Sequence, residues 1–150
     1  MPTLWFANGS GWALTLAIPV TIALPYALRR KRLAQALRIF AQGKSWFQRM
    51  RLHYWLGYFI TGATLAHAFV AMRAFGASAA GQAAILGLYL ATGALFLLFG
   101  QVTLGRMLQR PDAPNRRLMR RLHFTTMLGI VALAAGHIAL NSSTLHLAVK

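Results

Sequence analysis

The sequence predicts an all-α membrane protein, a bundle of four transmembrane helices that forms a single domain over residues 1–150. Its composition is the first reason, because 57% of the residues are hydrophobic and only 11% are charged, whereas an ordinary globular domain has roughly 25% charged residues. The second reason is a set of four apolar windows near the length of about 20 residues that a membrane helix needs. The third is the grouping of lysine and arginine between those windows.

The four windows predict four membrane helices in order along the chain. They cover residues 11–28, 52–72, 80–104 and 122–140. The first window contains Pro19 and Pro25, so we expect a kinked helix there. Pro111, Asp112 and Pro114 mark the turn between the third and fourth helices.

The positive charges indicate how the helices are oriented. Of the 16 lysines and arginines, eight lie in the 29–51 segment and six in the 106–121 segment. The positive-inside rule places these two loops in the cytoplasm, and both termini and the short 73–79 loop on the outer side of an inner or plasma membrane. We therefore expect the lipid bilayer as the partner and no nucleic acid. Residues 32–49 are either an amphipathic segment on the inner leaflet or a solvated basic loop.

The sequence excludes several kinds of site. Asp112 is the only acidic residue, and the chain has no cysteine. Paired carboxylates for glycoside hydrolysis, carboxylate-bridged metal centres and oxygen-ligand Mg²⁺ or Ca²⁺ sites are therefore excluded. The lack of cysteine excludes thiolate catalysis, cysteine-ligated zinc, iron–sulfur clusters and covalently attached haem.

Four of the five histidines lie in the second and fourth windows at matching positions. His53 and His67 are fourteen residues apart, and so are His123 and His137. Fourteen residues of helix rise about 21 Å and return to within roughly 40° of the same side. We expect one histidine of each helix near the inner membrane face and one near the outer face. Ionisable residues inside membrane helices are costly and usually mark function.

The number of ligands at each depth points to haem. Zinc and non-haem iron need three or four protein ligands, whereas each depth offers two imidazoles. Haem brings four nitrogens and leaves two axial positions, and without cysteine it would be of the non-covalent b type. We predict an inner haem on His53 and His123 and an outer haem on His67 and His137, stacked between helices 2 and 4. The alternative is that these histidines only form hydrogen bonds within the bundle.

Neighbouring residues suggest how a haem would be accommodated. Arg51 and Arg121 each precede a histidine by two positions, so they are candidate partners for haem propionates. The alternative is that both are ordinary positive-inside anchors. Small residues such as Gly57 and Gly136 would leave room for a flat macrocycle, although glycine also serves plain helix packing.

These histidine motifs resemble those of known haem proteins. The R-L-H-Y-W-L-G stretch from Arg51 and the R-L-H stretch from Arg121, each with a second histidine fourteen residues after the first, resemble the ferric-reductase-like transmembrane domain. The same spacing is similar to that of the cytochrome b of quinol-oxidising complexes. The resemblance covers residues 49–140 and implies two stacked b haems. The chain departs from the first family, which usually has six spans, and it lacks a G-x-G-x-x-G signature and the quinol-site motif of cytochrome b.

Three functions follow from these observations. The leading one is a di-haem b-type cytochrome that carries electrons across or within the membrane as a subunit of a larger redox complex, with other redox subunits or quinone as donor and acceptor. The second is a stand-alone haem oxidoreductase that uses quinone with superoxide, ferric chelate or a soluble cytochrome. The third is a non-redox membrane anchor or a pigment-binding subunit.

Overall fold

The computed structural model describes residues 2–28, 50–75 and 82–148, and all the regular structure in these ranges is α-helical. The helices are α1 (Pro2–Ala27), α2 (Arg51–Phe75), α3 (Gln82–Leu108) and α4 (Arg116–Ala148). Each contains a segment long and apolar enough to cross a membrane, respectively Asn8–Ala27, Arg51–Arg73, Ala84–Leu108 and Arg116–Asn141. Within these ranges the prediction of an all-α protein is confirmed, as is that of four helices long and apolar enough to cross a membrane, and these helices indicate an integral membrane protein. The arrangement of residues 1–150 as one bundle stays a prediction.

The helices are longer than the apolar windows. α1 continues through both of its prolines, and α4 begins at Arg116, within the predicted 106–121 loop. That loop is therefore a turn over residues 109–115 only. Hydropathy marks the apolar part of a helix, whereas arginine is a good helix former that extends the backbone pattern into polar surroundings. The predicted 29–51 and 73–79 loops, including the amphipathic segment, lie mostly outside the described residues.

Large apolar side chains cover the outer surfaces of these helices. Four of these side chains are each more than two-thirds exposed: Leu16 in α1, Phe59 in α2, and Tyr89 and Phe96 in α3. A soluble monomer rarely exposes apolar surface on this scale. Such surface suits contact with lipid chains, as expected of membrane helices.

The chain divides into two compact units, Met1–His67 and Ala68–Lys150, with the boundary inside α2. In the first unit, α1 and the first part of α2 are antiparallel, because Ser10 lies beside His67 while Thr21 lies beside His53. An apolar cluster joins the two helices where α1 ends and α2 begins. It consists of Leu24, Leu28 and Met50, with Leu52, Tyr54 and Leu56 packed against it.

In the second unit, α3 and α4 form an antiparallel pair. Along their contact, leucines of each helix pack against glycines of the other. A Cβ atom added at Gly136 would lie 2.9 Å from Cδ1 of Leu90, and one at Gly93 would lie 3.3 Å from Cδ1 of Leu133. Leu97 similarly packs against Gly129. A large side chain of one helix thus meets a glycine of the other, which lets the two backbones approach closely.

The turn between α3 and α4 is fixed by an arginine. The Arg116 guanidinium donates hydrogen bonds to the carbonyl oxygens of Leu108 (3.0 Å), Arg110 (2.8 Å) and Pro111 (3.1 Å). It thereby satisfies carbonyls that the end of α3 leaves without helical partners. Asn115, the last residue of the turn before α4, has a φ of 50°, a conformation that asparagine adopts more readily than most residues. The turn predicted from Pro111, Asp112 and Pro114 is confirmed.

Candidate functional site

Each of the four membrane histidines is hydrogen-bonded to, or packed on, the histidine-free helix of its own unit. His53 and His67 of α2 contact α1, and His123 and His137 of α4 contact α3. His53 and His67 therefore lie on one side of α2, and His123 and His137 on one side of α4, as the fourteen-residue spacing predicts. The pairing of α2 histidines with α4 histidines stays a prediction.

The orientation of His53 depends on a proline. Its Nδ1 donates to the carbonyl oxygen of Thr21 at 3.1 Å. In a regular helix this carbonyl would accept from the amide four residues later, but that residue is Pro25, which has no N–H. Pro25 therefore leaves the Thr21 carbonyl available to the imidazole. Because a carbonyl can only accept, the proton is on Nδ1 and the lone pair of the neutral ring is on Nε2.

Substituting Pro25 by alanine should weaken this hydrogen bond. The new amide N–H would compete for the Thr21 carbonyl, so the ¹⁵N NMR signals of the neutral His53 ring should move from the Nδ1-protonated tautomer toward an average of both tautomers. The measurement uses ¹⁵N-histidine-labelled protein in detergent without cofactor. Pro19→Ala is the matched control, because its amide would pair with Thr15 instead. An equal shift in both variants would show a general effect on α1 and contradict this role.

His67 lies against two small residues of α1. Its Nδ1 is hydrogen-bonded to the Ser10 hydroxyl at 3.0 Å. At the next residue, a Cβ added at Gly11 would lie 3.2 Å from Cε1 of the His67 ring, which is closer than most real Cβ contacts. Glycine at position 11 therefore makes the space in which the imidazole packs against the α1 backbone.

His123 is oriented by a side-chain amide of α3. The Gln101 amide nitrogen lies 3.2 Å from Nε2 of His123, and the Gln101 carbonyl oxygen accepts from the Thr126 hydroxyl. Because the amide nitrogen can only donate, Nε2 of His123 is the acceptor and carries the lone pair. Gly105 provides space here too, since an added Cβ would lie 3.4 Å from Cε1 of the ring.

His137 contacts both a backbone carbonyl, as His53 does, and a side-chain amide, as His123 does. Its Nδ1 donates to the carbonyl oxygen of Gly87 at 2.9 Å. The Asn141 amide nitrogen lies 3.1 Å from Nδ1 and 3.2 Å from Nε2. Since Nδ1 gives its proton to Gly87, only Nε2 can accept from Asn141. His137 thus has the same arrangement as His53, with a protonated Nδ1 and the lone pair on Nε2.

Sequence reasoning missed the residues that hold the imidazoles. They are Ser10, Gly11, Thr21, Gly87, Gln101, Gly105 and Asn141. Gln101 carried a signal, because it is a polar residue inside an apolar window. Of the small residues expected to make room for a macrocycle, Gly136 packs on Leu90 of α3 instead, while an added Cβ at Gly57 would meet nothing within 4 Å.

The two candidate propionate partners are exposed. Arg51 is the first residue of α2 and precedes His53 by two positions. Arg121 lies in the second turn of α4, two positions before His123, among other arginines. Their roles toward a cofactor stay predictions.

Among the described residues there is no group of three or more His, Cys, Asp or Glu side chains that could hold a metal ion. Comparison with protein-family models, curated proteins and solved structures gives no match for this chain. The resemblance to haem-binding membrane domains stays a prediction.

Proposed function

We propose that the chain is a b-type di-haem cytochrome that carries electrons across the membrane as a subunit of a larger redox complex. The inner haem would be ligated by His53 and His123 and the outer haem by His67 and His137. This pairing follows from the equal spacing of the histidines in α2 and α4. The separation of about 21 Å along each helix would divide the membrane into short electron-transfer steps.

The observation that carries this proposal is the hydrogen bonding of the imidazoles, from which their tautomers follow. In His53 and His137 the Nδ1–H donates to a backbone carbonyl, and in His123 Nε2 accepts from an amide. All three rings thus hold their lone pair on Nε2. Histidines that ligate metals characteristically donate their other ring N–H to a carbonyl or carboxylate, which fixes the tautomer and raises ligand basicity.

Haem fits the available donors better than a bare metal ion. Two imidazoles at one depth fill the two axial positions of haem iron, and an iron with both positions filled by protein is suited to electron transfer. The amides of Gln101 and Asn141 now donate to the Nε2 atoms of His123 and His137. Iron ligation would use the same lone pairs, so these two amides would have to release them.

The positive charges of the chain suggest partners for the proposed haems and an orientation of the helices in the membrane. Arg51 and Arg121 would pair with haem propionates, since a guanidinium binds a carboxylate with two parallel hydrogen bonds. The 29–51 segment and the 109–115 turn, with the arginines beside it, would face the cytoplasm, and both termini would face the outer side. Donor and acceptor would be other redox subunits or quinone.

Haem content and spectrum test this proposal directly. The protein purified in detergent should contain two b haems per chain by pyridine haemochrome, with low-spin bands in the reduced-minus-oxidised spectrum. Apoprotein should recover them when reconstituted with haem. A protein that remains colourless after reconstitution would contradict the proposal, and a far-red band would indicate a chlorophyll-type pigment instead.

A further inference from the structure

The first turns of α4 carry a basic groove, and of its arginines the proposed haem sites use only Arg121. The groove is lined by Arg116, Arg117, Arg120, Arg121 and Phe124. Arg116 is tied to carbonyls at the end of α3, whereas Arg117, Arg120 and Arg121 are exposed. Several guanidinium groups therefore converge on one open space within the second unit.

The chain cannot neutralise this charge itself. It has 16 lysines and arginines but a single acidic residue, Asp112. Like charges held close together repel one another, and a low-dielectric membrane boundary strengthens that repulsion. An anion from outside the chain is therefore the natural counter-charge for this groove.

An apolar stripe continues from the groove into the membrane span. Phe124, Leu128 and Val131 follow one another at spacings of four and three residues, which places them on one side of α4. These three side chains are between 40% and 50% exposed. The same helix side thus presents a cationic end followed by exposed apolar surface at membrane depth.

We propose that this groove binds the headgroup of an anionic phospholipid, with an acyl chain along Phe124, Leu128 and Val131. Basic pockets at the cytoplasmic ends of membrane helices are suited to anionic headgroups. An inorganic phosphate would use only the arginines, and an acidic protein would not reach the stripe within the bilayer. Lipid alone matches both parts, and this inference does not depend on haem.

The test measures lipid binding by native mass spectrometry, in which the protein is sprayed from detergent solution with lipid added. It compares two double variants that remove the same number of charges. Dioleoyl phosphatidylglycerol should bind in preference to dioleoyl phosphatidylcholine. Arg117→Gln with Arg120→Gln should weaken phosphatidylglycerol binding about 30-fold, because each arginine near an anionic lipid surface contributes about 1 kcal/mol. Arg106→Gln with Arg110→Gln removes the same charge outside the groove and should have little effect. Circular dichroism checks that both variants retain their helices.

Two further measurements separate the sources of the anion. Phe124→Ala keeps every charge, so it should weaken binding of the dioleoyl lipid while leaving dihexanoyl phosphatidylglycerol unchanged. Inorganic phosphate at equal concentration should not displace the lipid. An equal loss in both double variants would show unspecific attraction and overturn the proposal, as would full displacement by phosphate.

Discussion

His67→Ala is expected to lower the haem content from the proposed two per chain to one and to leave the proposed inner haem in place. Removing one axial imidazole would leave the iron of the proposed outer haem with a single protein ligand, whereas the proposed inner ligands lie about 21 Å away along the helices. His137→Ala should remove the same haem, and His53→Ala and His123→Ala should remove the other. Pyridine haemochrome counts the haems, and their low-spin electron paramagnetic resonance signals identify which one is lost.

The pattern across the four variants tests the pairing. His146→Ala is the control, because the fifth histidine lies beyond the predicted fourth span and should leave both haems bound. Loss of the same haem in His53→Ala and His67→Ala would contradict the assignment of one histidine per depth. A variant that loses both haems is checked by circular dichroism and size-exclusion chromatography, since a folded protein without haem would also contradict independent sites.

Gly11→Val is expected to weaken binding of the proposed outer haem by displacing the His67 ring, although neither of its proposed ligands is substituted. A single Cβ at this position already comes within 3.2 Å of the His67 ring, and the two valine methyls need still more space. Overpacking of this kind costs about 1–3 kcal/mol, which corresponds to a loss of about 5- to 150-fold in affinity. Titration of apoprotein with haem measures the change.

A control for this substitution lies two residues away. A Cβ at Gly9 would meet nothing within 4 Å, so Gly9→Val changes the same residue type in the same helix without displacing His67. We expect it to keep outer-haem affinity close to that of the unsubstituted protein. If both variants lose the haem equally, the cause is the helix as a whole and not the close approach of Gly11.

The helices and their order could be predicted from the sequence because membrane helices depend on long apolar runs. The fourteen-residue pairs of histidines, one pair in α2 and one in α4, could also each be placed on one side of their helix, since helical periodicity alone decides this. Helix ends were harder to predict: α4 begins at Arg116 because backbone hydrogen bonding does not stop where hydropathy falls. The turn before it was evident from its two prolines.

The contacts of the imidazoles could not be predicted. They depend on the register between neighbouring helices. Packing such as that of Leu90 on Gly136 fixes this register, and no single residue in the sequence indicates it. Pro25 shows the difficulty well. From the sequence it indicates a kink, whereas in the structure its missing amide gives His53 an acceptor.

The location of these contacts has a consequence for biogenesis. Each histidine is oriented by the helix that immediately precedes its own in the chain, α1 for His53 and His67, and α3 for His123 and His137. Membrane helices insert individually before they associate, and chains fold from the N-terminus during synthesis. The first imidazole pair would thus be in place while the ribosome is still translating α3. Insertion of the proposed haems would then wait for the second hairpin.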